Sequence, residues 1–282
     1  MGEAILLPHG YWVDGRHCRE AGLRPLTGRD EEFLVENTAE ALPVTRATEL
    51  LTRCVERLEG RNSVSRAALA ELVAGDREAL LWHVRRLTVG DRLQATLRCP
   101  ADGCGSAMDL DLRVSEFLQA PYPHPQPEYE SEHEQQALRR RFRLPTGADL
   151  EAVAAELDDE AAGRQLLQRC MIGVYDGEQA LSEWQEEWLA DIPGCMAALD
   201  PQAELEFALA CPECGHEFLA VLDAAAYIFE ELAAHSRDLY RQVHTLALHY
   251  HWSETEILGL SPVKRRRYLE LLADSFSEAE AL

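Results

Sequence analysis

The chain opens on strand-like patterning. AILLPHGYWV and RHCREAGLRPL flank Asp14-Gly15, a dipeptide that accepts the positive φ angles of a tight turn, so the first twenty-five residues are predicted to form a β-hairpin. The period then changes at LTGRDEEFL. Thr27 can cap a helix, Asp30 can answer it in capping-box fashion, and the acids of that first turn favour the helix dipole. Helical periodicity is predicted to continue through residues 48–58, 64–75 and 76–87. After Gly90, Leu93, Ala95 and Leu97 alternate with polar residues up to Cys99, as in a half-buried strand, and residues 108–112 alternate again.

Residues 120–136, APYPHPQPEYESEHEQQ, hold four prolines and little apolar content, and read as a linker. Beyond them the pattern restarts. LRPLTGRDEE (23–32) is echoed by FRLPTGADLE (142–151), LLTRC (50–54) by LLQRC (166–170), and RLQATLRCP (92–100) by ELEFALACP (204–212). The offsets are 119, 116 and 112, in one order, which argues for an internal duplication. The expected architecture is α+β: two tandem-duplicated strand/helix repeats joined through a shared zinc-ribbon-like site, plus a C-terminal all-helical segment. The boundaries are 1–118 for the first repeat, 119–139 for the linker, 140–222 for the second repeat and 223–282 for the helical segment. In that last segment Leu239, Val243, Leu246 and Tyr250 make one apolar stripe, Ser253 and Glu256 are placed for a capping box, and Ser261-Pro262 starts another helix.

Composition narrows the function classes. With 282 residues, 46% of them hydrophobic, the chain can bury a substantial core, and no apolar run is long enough for a membrane span. Its start lacks the features of a secretory signal, so a soluble, cytoplasmic protein is expected, with its eight cysteines as thiols. A formal net charge of −23 repels phosphate backbones and points to protein partners rather than nucleic acid or membrane.

Candidate chemistry lies in the cysteines. Cys99 and Cys104 sit in CPADGCG, Cys211 and Cys214 in CPECG, each pair closing an alternating strand. Either pair is half a site, since tetrahedral zinc takes four ligands. Two such knuckles face to face give a closed four-thiolate site, which is structural rather than catalytic and would clamp the two repeats together. Gly105 and Gly215 permit the positive φ each knuckle needs after its second cysteine. The bland alternative is four unrelated thiols, and His216 could stand in for a ligand. Cys54 and Cys170 read as small buried hydrophobes. Cys18 and Cys195 have no repeat partner.

Nothing assembles into an active site: no phosphate-binding glycine loop, HExxH motif or nucleophile elbow is present, and a non-enzymatic protein is expected. The TGxD stretches are read as helix caps. The basic cluster 264–267 reads as a solvated face, or else as a patch for an acidic partner. Trp184 and Trp188, four apart, suit core or a binding groove, and Trp252 and Tyr268 are further partner-binding candidates.

Three features together resemble a family: the TGxDE helix start, the central cysteine knuckles and the ending HYHWSETEILGLSPVKRRRYLELL. They are similar to proteins of contractile phage tails and extracellular contractile injection systems. LRPLTGRDEEFLVE in particular resembles the opening of T-even-type baseplate hub assembly chaperones. The resemblance implies a non-enzymatic chaperone or adaptor that binds baseplate hub or spike components, either released after assembly or retained as a minor baseplate subunit. The readings from other classes are a zinc-ribbon regulatory adaptor and a metal-dependent hydrolase.

Overall fold

Strands β1 (Glu3–Val13) and β2 (Arg16–Leu23) pair antiparallel about Asp14 and Gly15, whose φ angles of 49° and 76° are those the two-residue turn demands. They belong to a computed structural model that describes residues 2–37, 40–132 and 138–280. Helices α1 (Gly28–Asn37) and α2 (Pro43–Cys54) follow. The helix expected over 48–58 stops at Cys54: Val55–Leu58 is instead strand β3, paired with β2 through Leu23↔Val55 and Ala21↔Leu58. The free edge of the hairpin outcompetes helical spacing that the sequence alone supports equally well.

The helix expected over 64–75 is also interrupted. Only α3 (Arg66–Ala70) forms, and residues 71–73 leave the helix before α4 (Ala74–Val89) begins. The reason is tertiary. Val73 bridges Thr146, and the Leu72 carbonyl accepts from the Gly147 amide at 3.0 Å, contacts with the second half of the chain. Helix α4 is buried nearly all round, with Leu80, Trp82 and Val84 fully enclosed, and it anchors the first core together with Leu7, Leu23 and Leu50. The ribbon β4 (Arg92–Arg98) and β5 (Ala107–Arg113) and the short α5 (Val114–Phe117) complete this half.

The proline-rich stretch is not a spacer throughout. Tyr129–Glu132 forms β6, paired with β7 (Leu138–Phe142), because Tyr129 stacks on Phe142 while Glu130 lies opposite Arg141 in the register. Residues 133–137, part of the expected linker, lie outside the described ones. Then come α6 (Gly147–Val153), α7 (Asp159–Cys170), β8 (Met171–Asp176) and β9 (Gln179–Ala180), a 3-10 turn over Glu186–Leu189, and α8 (Ile192–Leu199). Sheet orders β1-β2-β3 and β6-β7-β8-β9 thus run alike, and each half ends in a two-stranded ribbon, the second being β10 (Leu205–Ala210) and β11 (Glu217–Leu222). A second core gathers Phe142, Leu144, Cys170, Val174 and Ile192.

The C-terminal segment is helical as expected: α9 (Ala224–Tyr250), α10 (Glu254–Leu258) and α11 (Pro262–Glu280). It is not separate from the first half, however. Ile228, Phe229 and Leu232 of α9 lie in the first core, whereas Leu239, Val243 and Leu246 form a small cluster of their own with Ile257 and Leu258.

Both TGxD turns cap helices, and each holds the same ion cluster. Asp30 accepts from the Thr27 amide at 2.9 Å, takes both guanidinium nitrogens of Arg24 at 2.6 and 3.1 Å, and meets Arg53 at 3.3 Å. Asp149 does the same with Thr146 at 3.0 Å, Arg143 at 2.5 and 3.0 Å, and Arg169 at 3.0 Å. Burial opposes ionisation of either carboxyl, but the arginine and threonine hydrogen bonds outweigh it and hold both below the usual range. The backbone repeats too, with Arg24 N–H donating to the Cys54 carbonyl at 2.9 Å and Arg143 N–H to that of Cys170 at 3.0 Å.

Acids also line the seam between the halves. Asp76 is fully buried, accepts from the amides of His9 and Gly10 at 2.7 and 2.8 Å, and is pushed up to about 7 by burial. Glu78 borders a groove of about 930 Å³ walled by Leu150, Leu166, Met196 and Val221, and burial followed by the nearby Asp223 raises it to about 8. A raised carboxylate pKa means that the folded state holds a proton the unfolded state has released, so stability falls as pH climbs from roughly 4.5 to 8. Glu78→Gln is expected to remove its share of that slope and leave the share of Asp76. Its melting temperature should match the parent near pH 4 and exceed it by a growing margin up to pH 8, as thermal unfolding across that range would show.

Candidate metal centre

The two ribbons present alternate side chains to each other. Leu97 and Met108 from one meet Phe218 from the other around Cys99 and Cys211, so the ribbon ends close over a small apolar cluster. Each knuckle is set by its own backbone. Cys99 N–H donates to the Ser106 carbonyl at 2.9 Å and Cys104 N–H to that of Ala101 at 3.1 Å; Cys211 N–H donates to the His216 carbonyl at 2.9 Å. Gly105 and Gly215, at φ 60° and 73°, turn the chain after the second cysteine of each pair, as the spacing predicts.

The result places Cys99, Cys104, Cys211 and Cys214 with their ligand atoms all within 4.8 Å of one another. Contacts run between the halves: Cys99 Sγ to Cys214 Sγ is 3.7 Å and Cys104 Sγ to Cys211 Sγ is 3.8 Å. A tetrahedron with metal–sulfur bonds of about 2.3 Å has edges of about 3.8 Å, so the donor set fits one ion held by four sulfurs. Hydrogen bonding with Ser106 lowers the Cys104 thiol to about 6. At Cys99 the Ala101 amide favours the thiolate, yet burial and the hydrogen-bonded neighbouring thiols push the group up to about 12. Four thiols this close resist joint ionisation, and a divalent cation is what relieves it. His216 is exposed, its ring stacked on Phe218.

Among the other cysteines, Cys54 and Cys170 are wholly buried, and burial pushes both thiols upward, Cys170 to about 11. Cys18 is buried as well, and Cys195 is partly so. Trp184 and Trp188 lie half-buried against the second core, with the Trp188 carbonyl accepting from Arg140 at 2.8 Å. Trp252 stacks on Tyr250 at 4.9 Å and meets Tyr268 edge-on at 4.8 Å, so these aromatics pack among themselves.

One basic residue departs from the sequence reading. In the cluster 264–267, Arg265 is 1% exposed and donates to Glu31 at 2.7 Å, Gln242 at 3.1 Å and the Leu260 carbonyl at 2.8 Å. Its role was hidden because its partner, Glu31, stands 234 residues away. By contrast the arginines of the two ion clusters sit inside the echoed stretches, where their recurrence was a usable signal.

A two-lobed α/β chain whose lobes bring paired cysteine knuckles together is the class that the fold and site define. Residues 14–230 match the family described as T4 bacteriophage base plate protein, and the chain belongs to that family. No curated protein and no solved structure matches it. No helix among the described residues is long and apolar enough to cross a membrane.

Proposed function

We propose that the protein is a non-enzymatic assembly chaperone or adaptor that binds hub or spike components of a contractile phage-tail-like baseplate. Membership of the base plate family over both lobes carries this reading, since a baseplate is built from protein–protein contacts. The groove between the lobes supports it. Its walls are apolar, and Glu78, Asp200 and Asp223 line it with acid, a surface suited to an apolar segment flanked by basic residues. On β11, Leu219 and Val221 are 63% and 57% exposed and extend the apolar surface outward.

The lobes are read as products of a tandem duplication, supported by the like strand orders and the twin Asp30 and Asp149 clusters. The four cysteines then hold one structural zinc as a staple between the copies. Four sulfur ligands leave no open position for a substrate, which weighs against a hydrolase. The outer ribbon faces set Asp109, Asp111, Glu206 and Glu217 against Arg92, Arg98 and Arg113 and so present no net positive surface, which weighs against a nucleic-acid adaptor.

The test is affinity capture from cells expressing a contractile-tail gene cluster, followed by mass spectrometry of both the soluble fraction and the finished particles. Recovery with a hub or spike protein in the soluble fraction alone is the expected result. Presence in finished particles makes the chain a minor baseplate subunit instead, and absence of any tail protein from both fractions removes the reading.

A further inference from the structure

A second echo lies within the helices, out of register with the first. Ser65, Leu69, Leu72, Arg77 and Leu81 recur 188 positions later as Ser253, Ile257, Leu260, Arg265 and Leu269. The structures match over the same interval: α3 and α10 are both five-residue helices, and α4 and α11 start at corresponding positions. Ser65 accepts from the Ala68 amide at 3.1 Å, and Ser253 from that of Glu256 at 3.3 Å.

Both copies dock in one way, each on the TGxD helix of a distant part of the chain. Gly147 N–H donates to the Leu72 carbonyl at 3.0 Å, and Gly28 N–H to the Leu260 carbonyl at 3.1 Å. Neither glycine has a positive φ; both are needed because an arginine lies on them. A Cβ at Gly147 would stand 2.5 Å from the Arg77 guanidinium carbon, and one at Gly28 would stand 2.8 Å from Arg265 Nη1. The TGxD turn is therefore a receptor for this helical module, and the chain uses the pairing twice.

The two modules differ in how firmly they are held. The first belongs to the main core, with Leu69, Leu72 and Trp82 in it. The second, α10 with α11, rests on α1, α4 and the end of α9, its buried side chains gather in a small cluster of their own, and it lies beyond the residues matched by the family. It joins α9 through three residues, 251–253, beginning with His251 at φ 59°, a left-handed conformation that a side chain with a Cβ adopts under strain. A short strained connector before a self-contained element is the geometry that favours exchange between copies.

We propose that α10–α11 swings about residues 251–253 and docks on α1, α4 and α9 of a second copy of the same chain, giving a reciprocally exchanged dimer. The Arg265–Glu31 ion pair, with side chains only 2% and 1% exposed, sets the match, so charge reversal reads it out. Full-length chains carrying Glu31→Arg and full-length chains carrying Arg265→Glu are mismatched alone but restore both pairs when exchanged with one another. The mixture should therefore give a dimer of twice the 31.7 kDa chain mass by light scattering, while each variant alone stays monomeric. Both reversals in one chain should restore the parent's behaviour. Should the single variants fail to fold, unmodified chains labelled with two fluorophores and mixed at high concentration should show energy transfer that is lost on dilution. A mixture that stays monomeric, or labelled parent chains without energy transfer, overturns the proposal.

Discussion

Cys211→Ser is expected to abolish metal binding and to loosen both lobes together. The parent should copurify with one zinc per chain and the variant with almost none, by elemental analysis under reducing conditions. Because an incomplete donor set binds poorly and metal binding is coupled to folding, the loss should reach several kcal/mol, against the apparent ~10–16 kcal/mol that structural zinc supplies in small metal-folded peptides. The location of the damage is the sharper readout. Cys99 faces Cys214 and Cys104 faces Cys211, so these two sulfur–sulfur contacts both cross from one ribbon to the other. Hydrogen exchange should therefore rise in 92–113 and 205–222 alike. Exchange confined to the second ribbon, or two zinc ions per parent chain, would contradict a shared staple.

The second large effect is expected at the buried carboxylates of the TGxD turns. Asp30 is 2% exposed and collects Arg24, Arg53 and the Thr27 amide. Asp30→Ala leaves two guanidinium groups without their anion and removes a helix cap, a loss of about 3–5 kcal/mol for breaking a buried ion pair. At about 2.1 cal/mol/K of unfolding entropy per residue, that corresponds for this chain to a melting temperature lowered by about 5–8 °C. Asp149→Ala should match it, because Arg143, Arg169 and Thr146 repeat the arrangement. The sign of the pH dependence follows from the depressed pKa values. Both clusters contribute their full stability above the unfolded carboxylate value near pH 4 and lose it as pH falls toward the folded one. Asp30→Asn should accordingly flatten the acid limb of a stability profile and leave its neutral region lowered throughout.

Much of this was legible in order and spacing. The Asp14-Gly15 turn, both TGxD caps and the alternation of the ribbons are local consequences of backbone conformation, and the structure shows each where the sequence puts it. The pairing of the two knuckles was legible as well, because a repeated motif implies a repeated environment even across 112 residues.

Sequence alone determined the local elements, the four thiols and the echo between the halves, because capping, turn chemistry and strand alternation act within a few residues. Only the tertiary structure decided the rest. Val55–Leu58 became strand because β2 offered an edge. Residues 71–73 left the helix because Gly147 needed the Leu72 carbonyl. Arg265 left the surface because Glu31 lay buried against it. In each case a partner remote in sequence supplied hydrogen bonds that local propensity, worth less than about 1 kcal/mol per residue, could not outweigh.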